Sequence, residues 1–324
     1  MKISNWIMFA AIVALFPFTA IAEGTGRVFV STERGNEIVV LSPDFEIIHR
    51  IETSRRPREI RFNADRTLLY VACGDEDVIE IYSLKTYELV DEIPTGPSPE
   101  AFVFSPDQTF IYVTNEEDST MEVIDLAAKI VTERVPTGAE PEGVINSLDG
   151  RYIFVTSEVA DMVHVIDPES ARVIRNIIVG TRPRRFVVTP DNTELWVSDE
   201  LSSEVHVIDI ETLEVVEILS FLPPGFRPED VTPVGMTITN DGTEIYISLG
   251  RANHIARVNV STREVVAYIL VGSRAWSIAL NRDESRAIVA NGLSDDITVI
   301  DLTSNKPIRS IPVGRTPHSI LIDD

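Results

Sequence analysis

A single cysteine, Cys73, stands in a chain of 324 residues, so no disulfide can form within it and burial between elements has to hold the fold together. Such a residue reads as a small buried side chain rather than a reactive thiol. The sequence also lacks a Gly-x-Ser-x-Gly elbow, a His-Glu-x-x-His pair, a phosphate-binding glycine loop and a Cys-x-x-Cys-His haem attachment. These absences argue against the familiar hydrolase, nucleotide-binding and electron-carrier signatures. Positive charge is scarce: 28 Lys and Arg face 51 Asp and Glu, a formal net charge of −23. A field of that sign repels phosphate backbones, which argues against nucleic acid as a partner.

Long apolar runs are missing as well, except at the N-terminus. Lys2 precedes an apolar stretch through Phe18, and Ala20-Ile21-Ala22 supplies small residues at cleavage spacing. This is the form of a secretory signal peptide, too short to span a bilayer of about 30 Å comfortably. Residues 1–22 are therefore expected to be removed after Ala22, leaving one exported domain over residues 23–324, soluble, without a membrane anchor and periplasmic.

What the chain has in abundance is repetition. Asp65, Asp107, Asp149, Asp191, Asp241 and Asp283 follow one another at intervals of 42 residues, with one of 50, and each precedes an apolar strand such as Tyr112-Val113-Thr114-Asn115. A period near 42 built of short β-branched runs predicts propeller blades of four strands each. Within one unit the expected strands are Ala101–Ser105, Phe110–Thr114, Met121–Leu126 and Ile130–Val135, with a proline-containing tight turn at Ser105-Pro106-Asp107-Gln108. The repeated aspartates read as turn residues that bond to their own backbone. Asp125, Asp167, Asp209 and Asp301, which recur 18 residues later, read the same way.

The ends of the chain complete each other. Ser319–Ile322 is an innermost strand with no turn after it, and Arg27–Ser31 is a second strand with none before it. The fold expected is all-β: a seven-bladed propeller of four-stranded blades, closed by pairing the N- and C-terminal strands in one blade, which leaves no open ring.

Candidate site residues come from positions that share one place in the repeat but differ in chemistry. Seven residues before each turn aspartate stand Arg58, Glu100, Glu142, Arg184, Val234, Trp276 and His318, at the start of the innermost strand and so at the rim of the central channel. The loop between second and third strands opens on the same face and adds Glu33, Glu116, Glu158, Asp199 and Glu200, with Arg185 beside them. The extra eight residues fall in Phe221–Glu229, an aromatic, proline-rich segment expected to roof this funnel. If the funnel is open to water, reversing the charge of Arg184 or Glu142 should change stability by under roughly 1 kcal/mol. His164 and His206 share a repeat position that elsewhere holds Ala256 and Thr298, so packing, on the surface or between blades, explains them better than metal ligation.

The Ser105-Pro106-Asp107 turn with Tyr112-Val113-Thr114-Asn115, and the recurring Pro94-Thr95-Gly96-Pro97-Ser98-Pro99-Glu100 and Pro136-Thr137-Gly138-Ala139-Glu140-Pro141-Glu142, resemble the YVTN-repeat propeller family over the whole of residues 23–324. With a start of the form Gly26-Arg27-Val28-Phe29-Val30-Ser31, the chain resembles within it the propellers associated with pyrroloquinoline-quinone (PQQ)-dependent catabolism. That resemblance implies a non-catalytic binding role beside quinoprotein alcohol oxidation, with a quinoprotein dehydrogenase, a cytochrome c or a small molecule as partner. It supplies no catalytic set. The alternative is a lactonase-like hydrolase that uses the funnel acids and His318 around a divalent metal. No cofactor is required by the sequence; PQQ and a divalent metal are the candidates.

Overall fold

The computed structural model describes residues 24–324, and the N-terminal segment read as a signal peptide lies outside the described residues. Seven antiparallel sheets of four strands each surround a central channel. The first blade is built from Arg27–Thr32, Glu37–Leu41 and Ile47–Glu52, with Pro317–Asp323 as its innermost strand. Closure follows the expected register, with Val28 opposite Ile322, Phe29 opposite Leu321 and Val30 opposite Ile320. The third blade comprises Pro99–Phe104, Phe110–Asn115, Thr120–Asp125 and Ile130–Pro136, within two residues of the strands expected from the sequence. Apart from a single 3-10 turn at Pro228–Asp230, the named elements are all strands.

Local chemistry accounts for the repeat. In every one of the six turns the aspartate accepts a hydrogen bond from the backbone N–H two residues on, at 2.9–3.1 Å, the Asx geometry that a short acceptor permits. Asp125, Asp209 and Asp301 each accept from the N–H three residues on, at 2.7 Å. Both sets are turn residues and take no part in the channel.

The middle strands of each blade are buried on both faces, because each blade is sandwiched between neighbours. Hydrophobic clusters therefore form between blades rather than within them. One joins Val28, Val39 and Ile320 of the first blade to Ile288, Ile297 and Val299 of the seventh. Hydroxyls finish the junctions near the axis: Ser31, Thr114, Thr156, Ser198 and Ser248 donate to the carbonyl oxygens of Arg58, Glu142, Arg184, Val234 and Trp276 on the next blade, at 2.6–3.1 Å. Those bonds fix the backbone of five of the seven channel positions. His164 is likewise buried between blades, where its Nε2 accepts from the N–H of Gly138 on the preceding connection at 2.8 Å.

Candidate functional site

The seven equivalent positions do converge on the channel, but they do not line an open funnel. Arg58, Glu100, Glu142, Arg184 and His318 are all under 8% exposed, and Val234 is fully buried. Arg58 meets Glu100 at 2.6 Å and Glu142, two blades on, at 3.0 Å. Arg184 meets Glu200 at 2.7 Å, Glu142 at 3.3 Å, and Glu158. Arg185 reaches Glu142 at 3.1 Å, while Arg56 reaches Glu100 at 2.7 Å and Glu116 at 3.4 Å. Glu33 completes this side of the ring on Arg58 at 3.4 Å. The expectation that charge reversal here is nearly free of cost is therefore corrected: these are buried pairs, and breaking one leaves a charge without its partner.

Two other expectations are also corrected. Asp199 does not face the channel; it is fully buried and bonds His206 Nδ1 at 2.7 Å. The Phe221–Glu229 segment does not roof the funnel. It packs on Ser203, the Tyr268 hydroxyl and the His254 ring, and none of its residues lines either of the channel cavities described below.

The acids of this network do not behave alike. Burial, with Glu142 as a like charge, pushes Glu100 up to about 8 although Arg58 and Arg56 oppose it. Burial and Glu142 push Glu158 up to about 7 against Arg184 and Arg182. Burial also opposes the ionisation of Glu142, but Arg58, Arg184 and Arg185 outweigh it and hold this carboxyl well below the usual range. A carboxyl raised on folding binds more protons in the native than in the unfolded state, so its contribution is complete below the unfolded value of 4.5 and is lost as pH rises through the folded value. His318 has the opposite sign, but only below its ordinary value of 6.5. The melting temperature is therefore expected to fall as pH is raised from about 6.5 to about 9, and a Glu100→Gln, Glu158→Gln double variant should flatten that slope in a calorimetric titration. A native slope of opposite sign would overturn the assignment.

Two cavities meet at one pair of side chains. A cavity of about 410 Å³ opens on the face that carries the loops between second and third strands, lined by Glu33, Arg251, Arg274, Trp276, Leu293 and His318 among others. A second, of about 150 Å³, lies in the channel and is bordered by Glu59, Arg61, Arg185 and Ser277, again with Trp276 and His318. The Trp276 and His318 rings are 5.4 Å apart. Arg184 and Arg274 each hold a guanidinium 5.1 Å from the Trp276 ring centre, a cation–π arrangement that fixes the indole.

Polar atoms at this junction lack partners. Trp276 Nε1, Ser277 Oγ and His318 Nε2 are buried without a hydrogen bond among the described residues, a condition that native interiors rarely tolerate unless water or a ligand completes it. His318 Nδ1 lies 3.2 Å from Ser319 Oγ. Burial, then the positive fields of Arg58, Arg185, Arg184 and Arg56, keep the imidazole well below its ordinary pKa and hence neutral at pH 7. A divalent metal does not fit: Glu100, Glu142, Glu158 and Glu200 are each engaged by arginine at 3.0 Å or less, and among the described residues no three His, Cys, Asp or Glu side chains are grouped to hold one.

Sequence reasoning found Trp276 and His318 but missed Arg251, Arg274 and the arginines at 56 and 182. The signal was present, since Arg56, Arg182 and Arg274 stand two residues before Arg58, Arg184 and Trp276 in their blades.

Comparison with known proteins agrees with this architecture. The model of the YNCE-like β-propeller family matches residues 25–191, just over half of the chain. That of the lactonase family of 7-bladed β-propellers matches residues 149–307. No curated protein matches the sequence. Among solved structures, the Pseudomonas aeruginosa periplasmic gluconolactonase PpgL is 19% identical with a TM-score of 0.78, the match covering 92% of this chain and 99% of that one. A putative 6-phosphogluconolactonase from Bacteroides uniformis is 17% identical, with a TM-score of 0.75 over 91% of this chain and 98% of that one. The Kuenenia stuttgartiensis hydrazine synthase is 19% identical, with a TM-score of 0.76 over 90% and 99%. At such identities the likeness establishes the fold alone. The 42-residue repeat, the closed ring of seven blades and the family match over residues 25–191 make this chain a member of the YNCE-like β-propeller family.

Proposed function

We propose that the protein is an exported, metal-independent lactonase-like hydrolase whose site is the cavity above Trp276 and His318. The observation that carries this reading is an open cavity of about 410 Å³ with a neutral, unpartnered imidazole nitrogen at its wall. Support comes from the lactonase family match, which spans the arginines at 184, 251 and 274 and Trp276. The quinoprotein association implied by the family resemblance finds no support in these comparisons.

In this proposal a lactone enters with its carbonyl toward the arginines. His318 Nε2 takes a proton from the attacking water as hydroxide adds to the carbonyl carbon, and Arg274 stabilises the developing oxyanion. Collapse breaks the acyl carbon–ring oxygen bond, and His318 returns its proton to the ring oxygen, leaving a hydroxy acid. The arginine field makes His318 a weak base when the cavity is empty, and a bound substrate's partial negative charge raises its basicity.

The test is proton release from glucono-δ-lactone and other aldonolactones in weak buffer with a chelator present. Turnover above the spontaneous rate is expected, and His318→Gln should lower kcat/KM by about a hundredfold or more with little change in melting temperature. A wild-type protein that leaves the spontaneous rate unchanged across these lactones would sink the proposal.

A further inference from the structure

The cavity exists because the repeat omits a carboxylate there. Glu33, Glu116, Glu158 and Glu200 occupy the first loop position after the second strand, and Gly74 and Gly292 occupy it in two of the remaining blades. The equivalence is structural as well: the N–H of Glu33, Glu116, Glu158 and Glu200 donates to the carbonyl of Thr316, Ser98, Glu140 and Arg182, and that of Gly292 donates to Arg274 in the same way. Where glutamate is present, its carboxylate meets arginine in the channel network. At Gly74 the room is filled by the Arg56 guanidinium, 3.0 Å from where a Cβ would stand. At Gly292 it is not: a Cβ there would find its nearest neighbours at 3.7 Å, at ordinary contact distance.

The arginines on this side are correspondingly short of counter-charge. Among the described residues Arg274 meets one carboxylate, that of Glu200, at 2.6 Å, and Arg251, exposed at the mouth, meets none. Glu33, on the cavity wall, is already turned to Arg58 and Arg56, at 3.4 and 3.8 Å. Burial, and then the like charges of Arg251 and Arg184 working against Glu200, pull Arg274 below its ordinary pKa.

We infer that the cavity is a carboxylate-binding site in which a ligand's carboxylate takes the place of the glutamate missing at Gly292, held between Arg251 and Arg274 beside the Trp276 face. The inference rests on the cavity assigned above, but it concerns binding and does not require turnover. It marks an anion site in a protein whose overall charge is −23, so recognition is local rather than steered by the whole molecule.

The experiment is titration of the full mature chain with D-gluconate, with the uncharged polyol sorbitol and inorganic phosphate in parallel, read by tryptophan fluorescence. Trp196 is fully buried beneath Arg263, so a response reports on Trp276. Gluconate should bind and sorbitol should not, with affinity falling as salt is raised. Gly292→Glu supplies the carboxylate from the protein itself and should weaken gluconate about tenfold or more, while Arg251→Ala, a change at an exposed side chain, should weaken it about tenfold. Phosphate binding more tightly than gluconate would overturn the carboxylate assignment. So would equal binding of sorbitol, or wild-type affinity in a folded Gly292→Glu protein; if that variant does not fold, wild-type affinity in Arg251→Ala has the same force. Gluconate binding without lactone turnover would leave this inference standing and remove the hydrolase reading, whereas turnover without gluconate binding would do the reverse.

Discussion

A chain that ends at Thr316 is expected to lose cooperative folding altogether. The strand removed, Pro317–Asp323, is the innermost strand of the first blade, and its partner Arg27–Thr32 comes from the other end of the chain. Ile320 packs into the cluster shared with the seventh blade, and Leu321 packs against the one shared with the second. Burial of Ile320 contributes roughly 1.5–3 kcal/mol, the partly buried Leu321 and Ile322 each contribute less, and each ladder hydrogen bond adds about 1 kcal/mol. Together these terms are comparable to the roughly 5–15 kcal/mol that stabilises an ordinary domain. The deletion also leaves the edge of Arg27–Thr32 unpaired, a template for aggregation. Urea unfolding followed by fluorescence and circular dichroism checks this: coincident, sharp transitions at the wild-type midpoint would show that ring closure is dispensable.

The second large effect is expected from Arg184→Ala, at a cost of about 3–5 kcal/mol. Arg184 is 6% exposed and touches Glu142, Glu158 and Glu200 from three different elements. Its removal leaves those carboxylates facing one another with Arg58, Arg182, Arg185 and Arg274 as the remaining counter-charges, and it takes away one of the two guanidiniums that hold Trp276. An exposed arginine would cost well under 1 kcal/mol, so the two readings of this position are separated by several kcal/mol in an equilibrium denaturation curve. A loss below about 1 kcal/mol would return the ring to the solvated funnel expected from the sequence. A double variant that also replaces Glu142 should cost less than the sum of the two single changes, because the residues share partners.

The propeller itself was legible because the forces that specify it are local and repeat. A turn aspartate bonds an N–H two residues away wherever it occurs, so Asp65 through Asp283 announce the same hairpin six times. The blade count, the strand positions and the pairing of Val28–Val30 with Ile320–Ile322 follow from the period and from the incomplete units at the two ends. That Arg58, Glu100, Glu142, Arg184, Trp276 and His318 meet was legible too, since a place in the repeat sets a distance from the axis.

What that meeting amounts to was decided only by the tertiary structure. Arg58 pairs with Glu142 across 84 residues of chain, and whether such charges stand in water or neutralise one another depends on side-chain reach and channel width, which no local pattern encodes. Asp199 turned to His206 rather than to the channel because it ends its strand on the same face as a buried imidazole two positions along the neighbouring strand. The cavity beside Trp276 arises from an absence, the glycine at 292 where four other blades carry glutamate, and an absence becomes a site only when its neighbours leave the space unfilled. Short-range hydrogen bonding and strand propensity act through sequence separation and so could be read from the sequence; electrostatics and packing act through space, and the closed ring alone sets those distances.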